Sequence, residues 1–399
     1  MNPDIERLQS YPFEKLQALK TGVQPPAKIG HIALSLGEPQ HAAPAFIAEA
    51  IQCHLDGLQR YPLTRGTEAL RNTIRQWLFS RYRLPEDSLD ADTQIAPVNG
   101  SREGLFSIAQ ALVDRSRENP LVLLPNPFYQ IYEGAALLAG AKPFYYPTPA
   151  DNGYAPDFTD ISDDTWHDCQ LIYVCSPGNP TGHVVQPQTF RLLLEKAAEF
   201  GFTIVSDECY SEIYFDENSP PPGLLQIAHE SGVTDFRHCV VFNSLSKRSN
   251  LPGLRSGFVA GDAQLLKTYL HYRTYHGCAM SETIQHASIA AWRDEAHVKQ
   301  NREVYRRKFA TVIDILSSAL PVRQPDAAFF LWLQTPIDDQ QFARELYARQ
   351  NVTVLPGSYL SRGNDTGNPG ESHVRIALVA EEDQCVEAAQ RIKQFLNSL

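Results

Sequence analysis

Apolar positions fall along the chain in two alternating rhythms. Short unbroken runs stand at 95–98, 121–124, 171–175, 202–206, 239–242 and 257–260. Between them, apolar residues recur at helical spacing. Leu70, Ile74, Trp77 and Leu78 form one such stripe, and Leu105, Ile108, Ala109 and Leu112 form another. Pro44 opens a third, with Ile47, Ile51 and Leu55 on one face. Trp77 reads as a packing residue. Unbroken runs separated by amphipathic helices predict an α/β fold, with a mainly parallel central sheet covered by helices on both faces.

The two ends of the chain differ from this middle. Residues 1–30 read as an arm and linker, with a short amphipathic helix over 11–16 and a breaker at Pro25-Pro26. Residues 32–36 predict a short strand that runs into Gly37-Glu38-Pro39. Beyond 300, a long amphipathic helix carries Tyr305, Phe309, Val312, Ile313 and Leu316. It is followed by a strand at 328–333, a helix at 342–347, a strand at 352–355, a Gly/Asn-rich loop at 363–370, a strand at 374–378 and a terminal helix. The expected organisation is an arm (1–30), a segment joining the small domain (31–55), a large ligand-binding domain (56–300) and a smaller α/β domain (301–399).

Composition narrows the class. A chain of 399 residues exceeds a usual single core, in keeping with two domains. A hydrophobic share of 43% and a charged share of 20% are those of an ordinary globular protein. A net charge of −11 argues against nucleic acid as a partner, because phosphate backbones are held by clustered Lys and Arg. No basic flank and apolar run mark a signal peptide, and no stretch approaches the roughly 20 apolar residues of a membrane span. The seven cysteines are scattered without a C-x-x-C pair, which reads as reduced thiols in a cytoplasmic protein with no metal site.

In a parallel sheet, ligands collect beyond the carboxyl ends of the strands. Polar residues stand at those ends here: Ser101, Tyr129, Asn179, Asp207, Ser244 and Lys247. Taken singly, each has a plain explanation. A lysine is usually a solvated charge, Asp207 could end a turn, Gly100-Ser101 could cap a helix, and Asn179-Pro180-Thr181-Gly182 is a turn signal. Together they meet the needs of a pyridoxal phosphate site. That site requires a lysine to form an imine and a carboxylate to pair with the protonated ring nitrogen. Its phosphate requires a helix N-terminus, hydroxyls and an arginine. Lys247, Asp207, the Gly100-Ser101-Arg102 turn, Ser244, Ser246 and Arg255 supply these.

The successive segments Asn179-Pro180-Thr181-Gly182, Asp207-Glu208-Cys209-Tyr210, Ser244-Leu245-Ser246-Lys247 and Gly253-Leu254-Arg255-Ser256-Gly257 resemble the signatures of class I/II aminotransferases of pyridoxal phosphate fold type I. The resemblance runs from Leu36-Gly37-Glu38-Pro39 to Val374-Arg375-Ile376-Ala377-Leu378. It implies that Lys247 is the Schiff-base lysine and the base that moves the substrate proton. It implies that Asp207 faces the ring nitrogen, that Tyr210 and Asn179 bond the ring hydroxyl oxygen, and that Tyr129 stacks on the ring. Ser101, Arg102, Ser244, Ser246 and Arg255 would surround the phosphate. Tyr61 would reach the phosphate of the other subunit, which implies a homodimer with shared sites. Arg375 would hold the substrate α-carboxylate as a bidentate fork, with Gly37 assisting. One departure from the family is Ala328, where glycine is common before the aromatic pair.

The resemblance implies an amino donor and a keto-acid acceptor as partners. Fold type I also hosts β-elimination C–S lyases, and aspartate- or alanine-type aminotransferases are further alternatives. A pyridoxal phosphate-binding regulator would need an attached DNA-binding domain, for which the residues before 30 leave no room. The arm from Asn2-Pro3 to Leu16, the segment 60–66, the segment 246–255 and the run 355–360 resemble bacterial succinyldiaminopimelate transaminases. These exchange an amino group between glutamate and N-succinyl-2-amino-6-oxopimelate in lysine and diaminopimelate synthesis. Arg65 and Arg362 are then candidates for the carboxylates beyond the one Arg375 takes.

Overall fold

The apolar runs form six strands of a seven-stranded sheet in this computed structural model, which describes residues 2–364 and 367–399. Met1 of the arm and residues 365 and 366 of the 363–370 loop lie outside the described residues. In chain order the strands are β1 (Ile32–Ala33), β2 (Ile95–Val98), β3 (Leu121–Asn126), β4 (Lys142–Pro147), β5 (Cys169–Cys175), β6 (Thr203–Asp207), β7 (Cys239–Ser244), β8 (Gly257–Gly261), β9 (Phe330–Gln334), β10 (Val352–Thr353), β11 (Leu355–Pro356) and β12 (His373–Ala377). The large sheet has the order β2-β8-β7-β6-β5-β3-β4. Only β8 runs against its neighbours, so the sheet is mainly parallel.

Alternate residues of each strand enter different cores, as a pleat buried on both faces requires. Ile95, Leu123, Ile172, Ile204, Val241 and Phe258 pack on one face with Leu70, Ile74, Trp77, Phe190 and Trp292. Ala96, Val122, Leu124, Tyr173, Val240 and Phe242 pack on the other with Leu105, Ile108, Tyr132, Leu266 and Tyr269. Each fully buried Leu, Ile or Phe contributes roughly 1.5–3 kcal/mol. These two layers therefore make the sheet a rigid platform for the groups at its carboxyl edge.

Strand β4 is absent from the sequence reading. It is an edge strand, Lys142-Pro143-Phe144-Tyr145-Tyr146-Pro147, only partly buried. An edge tolerates two prolines, so the unbroken apolar signature is missing. The stripe through Leu55 also stops early. The helix ends at Cys53, and Leu55 begins a 3₁₀ turn with 52% of its surface exposed.

The C-terminal part builds a three-stranded antiparallel sheet, β11-β12-β9, and a two-stranded parallel sheet, β1-β10. The strand predicted at 352–355 is thus two strands. Val352 and Thr353 pair with Ile32 and Ala33, whereas Leu355 and Pro356 pair with Arg375 and Val374. All five residues from Val352 to Pro356 are buried, so apolar pattern alone carries no sign of the change of partner. The strand predicted at 32–36 shortens to 32–33 for a related reason. Leu34 bridges both sheets, donating to the Thr353 carbonyl and accepting from the Ala377 N–H, each at 2.8 Å. The chain then leaves at Leu36, which is 45% exposed, toward the carboxyl edge of the large sheet.

Ala328 is buried with φ at +66°. Its N–H reaches the Ile213 carbonyl at 2.8 Å, which ties this turn to the segment following β6. Among the described residues, no helix is long and apolar enough to cross a membrane.

Candidate active site

Strand ends, turns and a short helix converge on one cavity of about 480 Å³. β6 ends at Asp207 and β7 ends at Ser244. The short helix Leu245–Arg248 then carries Lys247 over the edge of the sheet. Behind β2, Gly100 with φ at +83° turns the chain into the helix Ser101–Leu112. A Cβ at Gly100 would lie 2.3 Å from Arg255 Nη2, so this close approach needs glycine. Arg375 comes from β12 of the small sheet. Gly37, Ser101, Arg102, Tyr129, Asn179, Asp207, Tyr210, Ser244, Ser246, Lys247, Arg255 and Arg375 all line the cavity. Tyr61 does not; it stands fully exposed on the chain's surface.

Among the described residues, Lys247, Asp207 and Arg375 make no direct ion pair. Lys247 Nζ donates to the Gly37 carbonyl, and burial pulls its ammonium down to about 8, with the positive Arg375 pushing the same way. Burial pushes the Asp207 carboxyl up, against bonds from Cys209 and Tyr132 that pull it down. Tyr132 Oη donates to Asp207 Oδ2 at 2.6 Å, and Cys209 N–H donates to Oδ1 at 3.3 Å. Arg375 donates to Asn179 Oδ1 at 2.8 Å and to the Ser35 carbonyl at 2.7 Å. Its Nε is buried without a hydrogen-bond partner among the described residues, and burial lowers the guanidinium to about 10. The Tyr210 phenol is raised by burial and sits edge-on to Phe329 and Phe330.

At the other end of the cavity is a cup of donors. Ser244 Oγ donates to Ser246 Oγ at 3.0 Å and receives the Ser246 N–H at 3.1 Å. Arg255 is held by the carbonyls of Pro252 and Asn99, at 2.9 and 3.3 Å. The helix beginning at Ser101 has no side-chain cap, which leaves its first N–H groups for an anion.

Several lining or supporting residues escaped the sequence reading: Tyr132, Cys209, Tyr11, Phe13, Glu38 and Phe330. Cys209 lies inside the Asp207–Tyr210 segment, and its Sγ is 2.8 Å from Ser101 Oγ. Tyr11 comes from the arm. It receives Arg102 Nη2 at 2.6 Å while Tyr129 receives Nε at 2.7 Å, so two phenols grip one guanidinium at the cavity wall. The two arginines considered for distal carboxylates are engaged elsewhere. Arg362 forks onto Glu133 at 2.6 and 2.7 Å, and Arg65 bonds Asp92 on a separate surface hollow.

A family profile described as aminotransferase class I and II matches residues 30–392. The chain belongs to this family. Class I/II aminotransferases use pyridoxal phosphate and act on an amino donor and a keto acid. Among curated aminotransferases, the chain is 29% identical over 397 residues to an LL-diaminopimelate aminotransferase of Maridesulfovibrio salexigens, covering 98% of both chains. Among solved structures it matches an aminotransferase of Neisseria meningitidis with 47% identity and TM-score 0.95, covering 99% of this chain and 100% of that one. A probable N-succinyldiaminopimelate aminotransferase of Thermus thermophilus is 26% identical with TM-score 0.83, covering 96% and 99%.

The residues present fit the aminotransferase cofactor. The buried Asp207 carboxylate has no cationic partner within hydrogen-bond reach among the described residues, which suits a protonated ring nitrogen. The uncapped helix start, two serine hydroxyls and Arg255 suit a phosphate dianion.

Proposed function

We propose that this aminotransferase moves an amino group between glutamate and N-succinyl-2-amino-6-oxopimelate in lysine and diaminopimelate synthesis. The observation that carries amino transfer is the convergence of Lys247 Nζ, the Asp207 carboxylate and the Arg375 fork on one cavity. Pyridoxal phosphate, when bound, supplies an aldehyde that bonds amines covalently and a ring that draws electrons from the attached carbon.

The chain's own residues do the rest. Lys247 Nζ, its pKa lowered by burial to about 8, would take the proton from the substrate α-carbon and deliver it to the carbon of the cofactor's aldehyde. Asp207 would hold the ring nitrogen protonated, with its carboxylate oriented by Tyr132. Tyr210 and Asn179 would hydrogen-bond the ring hydroxyl oxygen, and Tyr129 would stack on the ring. Ser101 and Arg102, through their backbone N–H groups, and the side chains of Ser244, Ser246 and Arg255 would hold the phosphate. Arg375, already aimed by Asn179 and Ser35, takes the substrate α-carboxylate beside Gly37. Tyr61 would reach the phosphate of a second copy in a cytoplasmic homodimer. The exposed Leu55, Leu58 and Leu63 around it support such an interface.

The substrate's distal end is read from Arg102. Its guanidinium, gripped by Tyr11 and Tyr129, gives the cavity a cation beyond Arg375 and Arg255, as a substrate with a second carboxylate requires. A second reading is LL-diaminopimelate without the succinyl group. It is supported by the name of the Maridesulfovibrio relative and by Glu38, a carboxylate in the cavity lining that suits a free distal ammonium.

A panel of amino donors tests both. N-succinyl-LL-diaminopimelate, LL-diaminopimelate, aspartate, alanine and cystathionine are each offered with 2-oxoglutarate. The proposal expects the highest kcat/KM with the succinylated compound. A preference for LL-diaminopimelate supports the second reading, and ammonia released from cystathionine would replace both with a C–S lyase.

A further inference from the structure

A chain of hydrogen bonds leads away from the lysine turn, and none of its side chains lines the cavity. Asn301, on the helix Ala296–Ser317, donates from Nδ2 to the carbonyls of Lys247 and Arg248 at 3.3 and 3.4 Å. Its Oδ1 stands 3.1 Å from His41 Nδ1. His41 Nε2 stands 2.6 Å from Nζ of Lys308, about two turns further along the same helix. Lys308 also donates to the carbonyls of Leu378, at 3.2 Å, and Ala380. Asn301 and Lys308 are both buried, at 5% and 0% exposure.

Proton counting fixes the direction of the chain. An ammonium only donates, and Lys308 has three acceptors for its three protons. His41 Nε2 must therefore accept, so the ring is neutral and its proton is on Nδ1. That proton needs an acceptor, which makes the near atom of Asn301 its oxygen. Asn250 Nδ2, 3.0 Å from the same atom, is in keeping with this assignment. The amide NH₂ of Asn301 is left pointing at the lysine turn. A flipped amide would set two donors against Nδ1–H and turn an acceptor toward two carbonyls.

The anchors of this chain are the segments that must meet at the site. Leu378 and Ala380 directly follow β12, which carries Arg375. His41 follows Gly37, whose carbonyl receives Lys247 Nζ. A network of this kind, with Asn301 and Lys308 buried within it, favours one arrangement, because breaking a link at either strands a buried polar group.

We infer that Asn301 is a positioning residue for Lys247, held in its working orientation by Lys308 through His41. The inference rests on the reading of Lys247 as the group that moves the substrate proton. Proton transfer is sensitive to displacements of the base on the order of 1 Å, whereas substrate binding at Arg375 is not made through this chain.

Asn301→Asp tests it. The carboxylate keeps its size and still accepts from His41 and Asn250, but it has no proton for the Lys247 carbonyl. The expected result is a fall in kcat of about tenfold or more with KM for the amino donor little changed. The pH midpoint of the bound cofactor's visible absorbance, which reports the lysine nitrogen, should shift by about half a unit or more. His41→Leu should lose part of the same activity, and His41→Gln, which can both accept and donate, should restore some of it. The double variant His41→Leu/Asn301→Asp should lose no more than Asn301→Asp alone. If Asn301→Asp does not fold, His41→Leu carries the same expectations. Unchanged kcat and midpoint, a rise in KM alone, or a double variant that loses the product of the single losses would each overturn the inference. Borohydride reduction of the loaded parent keeps the two claims separate. An unlabelled Lys247 removes the reading beneath the inference; a labelled Lys247 with unaltered Asn301→Asp kinetics removes the inference alone.

Discussion

Arg375 donates to Asn179 Oδ1 at 2.8 Å across residues far apart in the chain. The bond joins β12 of the small sheet to the turn after β5 of the large one. It aims a buried guanidinium whose Nε has no hydrogen-bond partner among the described residues. Such a cation is costly until an anion arrives. Losing one member of a buried charge pair commonly costs about 2–5 kcal/mol. Arg375→Lys, which keeps the charge but not the fork, should therefore lower kcat/KM for amino acids by about 10²-fold or more. Arg375→Met should do the same while making the substrate-free protein more resistant to urea. Steady-state kinetics and urea melts check the pair, and a variant with normal kcat/KM would remove Arg375 from the carboxylate role.

Lys247 makes stability and cofactor capture depend on alkaline pH. Its pKa is lowered by burial to about 8, against about 10.4 for an unfolded lysine. Between those values the unfolded chain binds more protons than the folded one, so stability rises with pH across this window. Below about 8 both states are protonated and the burial penalty is fully present. Cofactor-free protein should gain stability from pH 8 to 10 as far as this lysine is concerned, and Lys247→Met should lose that gain. The rate of cofactor capture should rise through pH about 8 as the neutral amine forms. A capture rate that keeps rising up to about pH 10 would show that the lysine is not perturbed.

Asp207 and Tyr132 act as a pair. Asp207→Ala should retain some cofactor binding through the phosphate cup but lose proton abstraction by orders of magnitude, because the ring nitrogen loses its counter-charge. Tyr132→Phe removes one donor at 2.6 Å from the carboxylate and should cost about 1.5–3 kcal/mol, or roughly ten- to a hundredfold in kcat. Single-turnover absorbance measurements separate the two. Equal losses would mean that Tyr132 does more than orient.

The Arg362 fork on Glu133 is a latch between the two parts of the molecule. Around it, Asn126 exchanges two bonds with the Arg362 backbone at 2.8 and 3.0 Å, and the Phe128 N–H reaches the Leu360 carbonyl at 2.8 Å. Both segments end at cavity-lining residues, Tyr129 and Leu360. Glu133→Ala should raise KM for both substrates several-fold and lower the melting temperature, with kcat less affected. A large fall in kcat at unchanged KM would contradict a latch.

What the sequence made legible follows burial. Strands β2, β3, β5, β6, β7 and β8 are buried along nearly their whole length and appear as unbroken apolar runs. The residues at their ends could be read off as cavity-lining candidates for the same reason. What stayed hidden depends on pairs distant in the chain. Nothing local marks Glu133 as the partner of Arg362, Tyr11 as the partner of Arg102, or Val354 as the point where one strand becomes two. Ala328 is a different case. Sequence flagged it as a departure, and its φ of +66° shows that alanine is held in a left-handed turn that costs roughly 1–2 kcal/mol.

The central claim is amino transfer at Lys247. The most direct measurement is a single turnover of the cofactor-loaded protein with glutamate and no acceptor, following 2-oxoglutarate and ammonia together. The account predicts about one equivalent of 2-oxoglutarate per site and no ammonia, with both the product and the borohydride-trapped cofactor label lost in Lys247→Ala. Ammonia in step with keto acid, or an undiminished yield from Lys247→Ala, would contradict it.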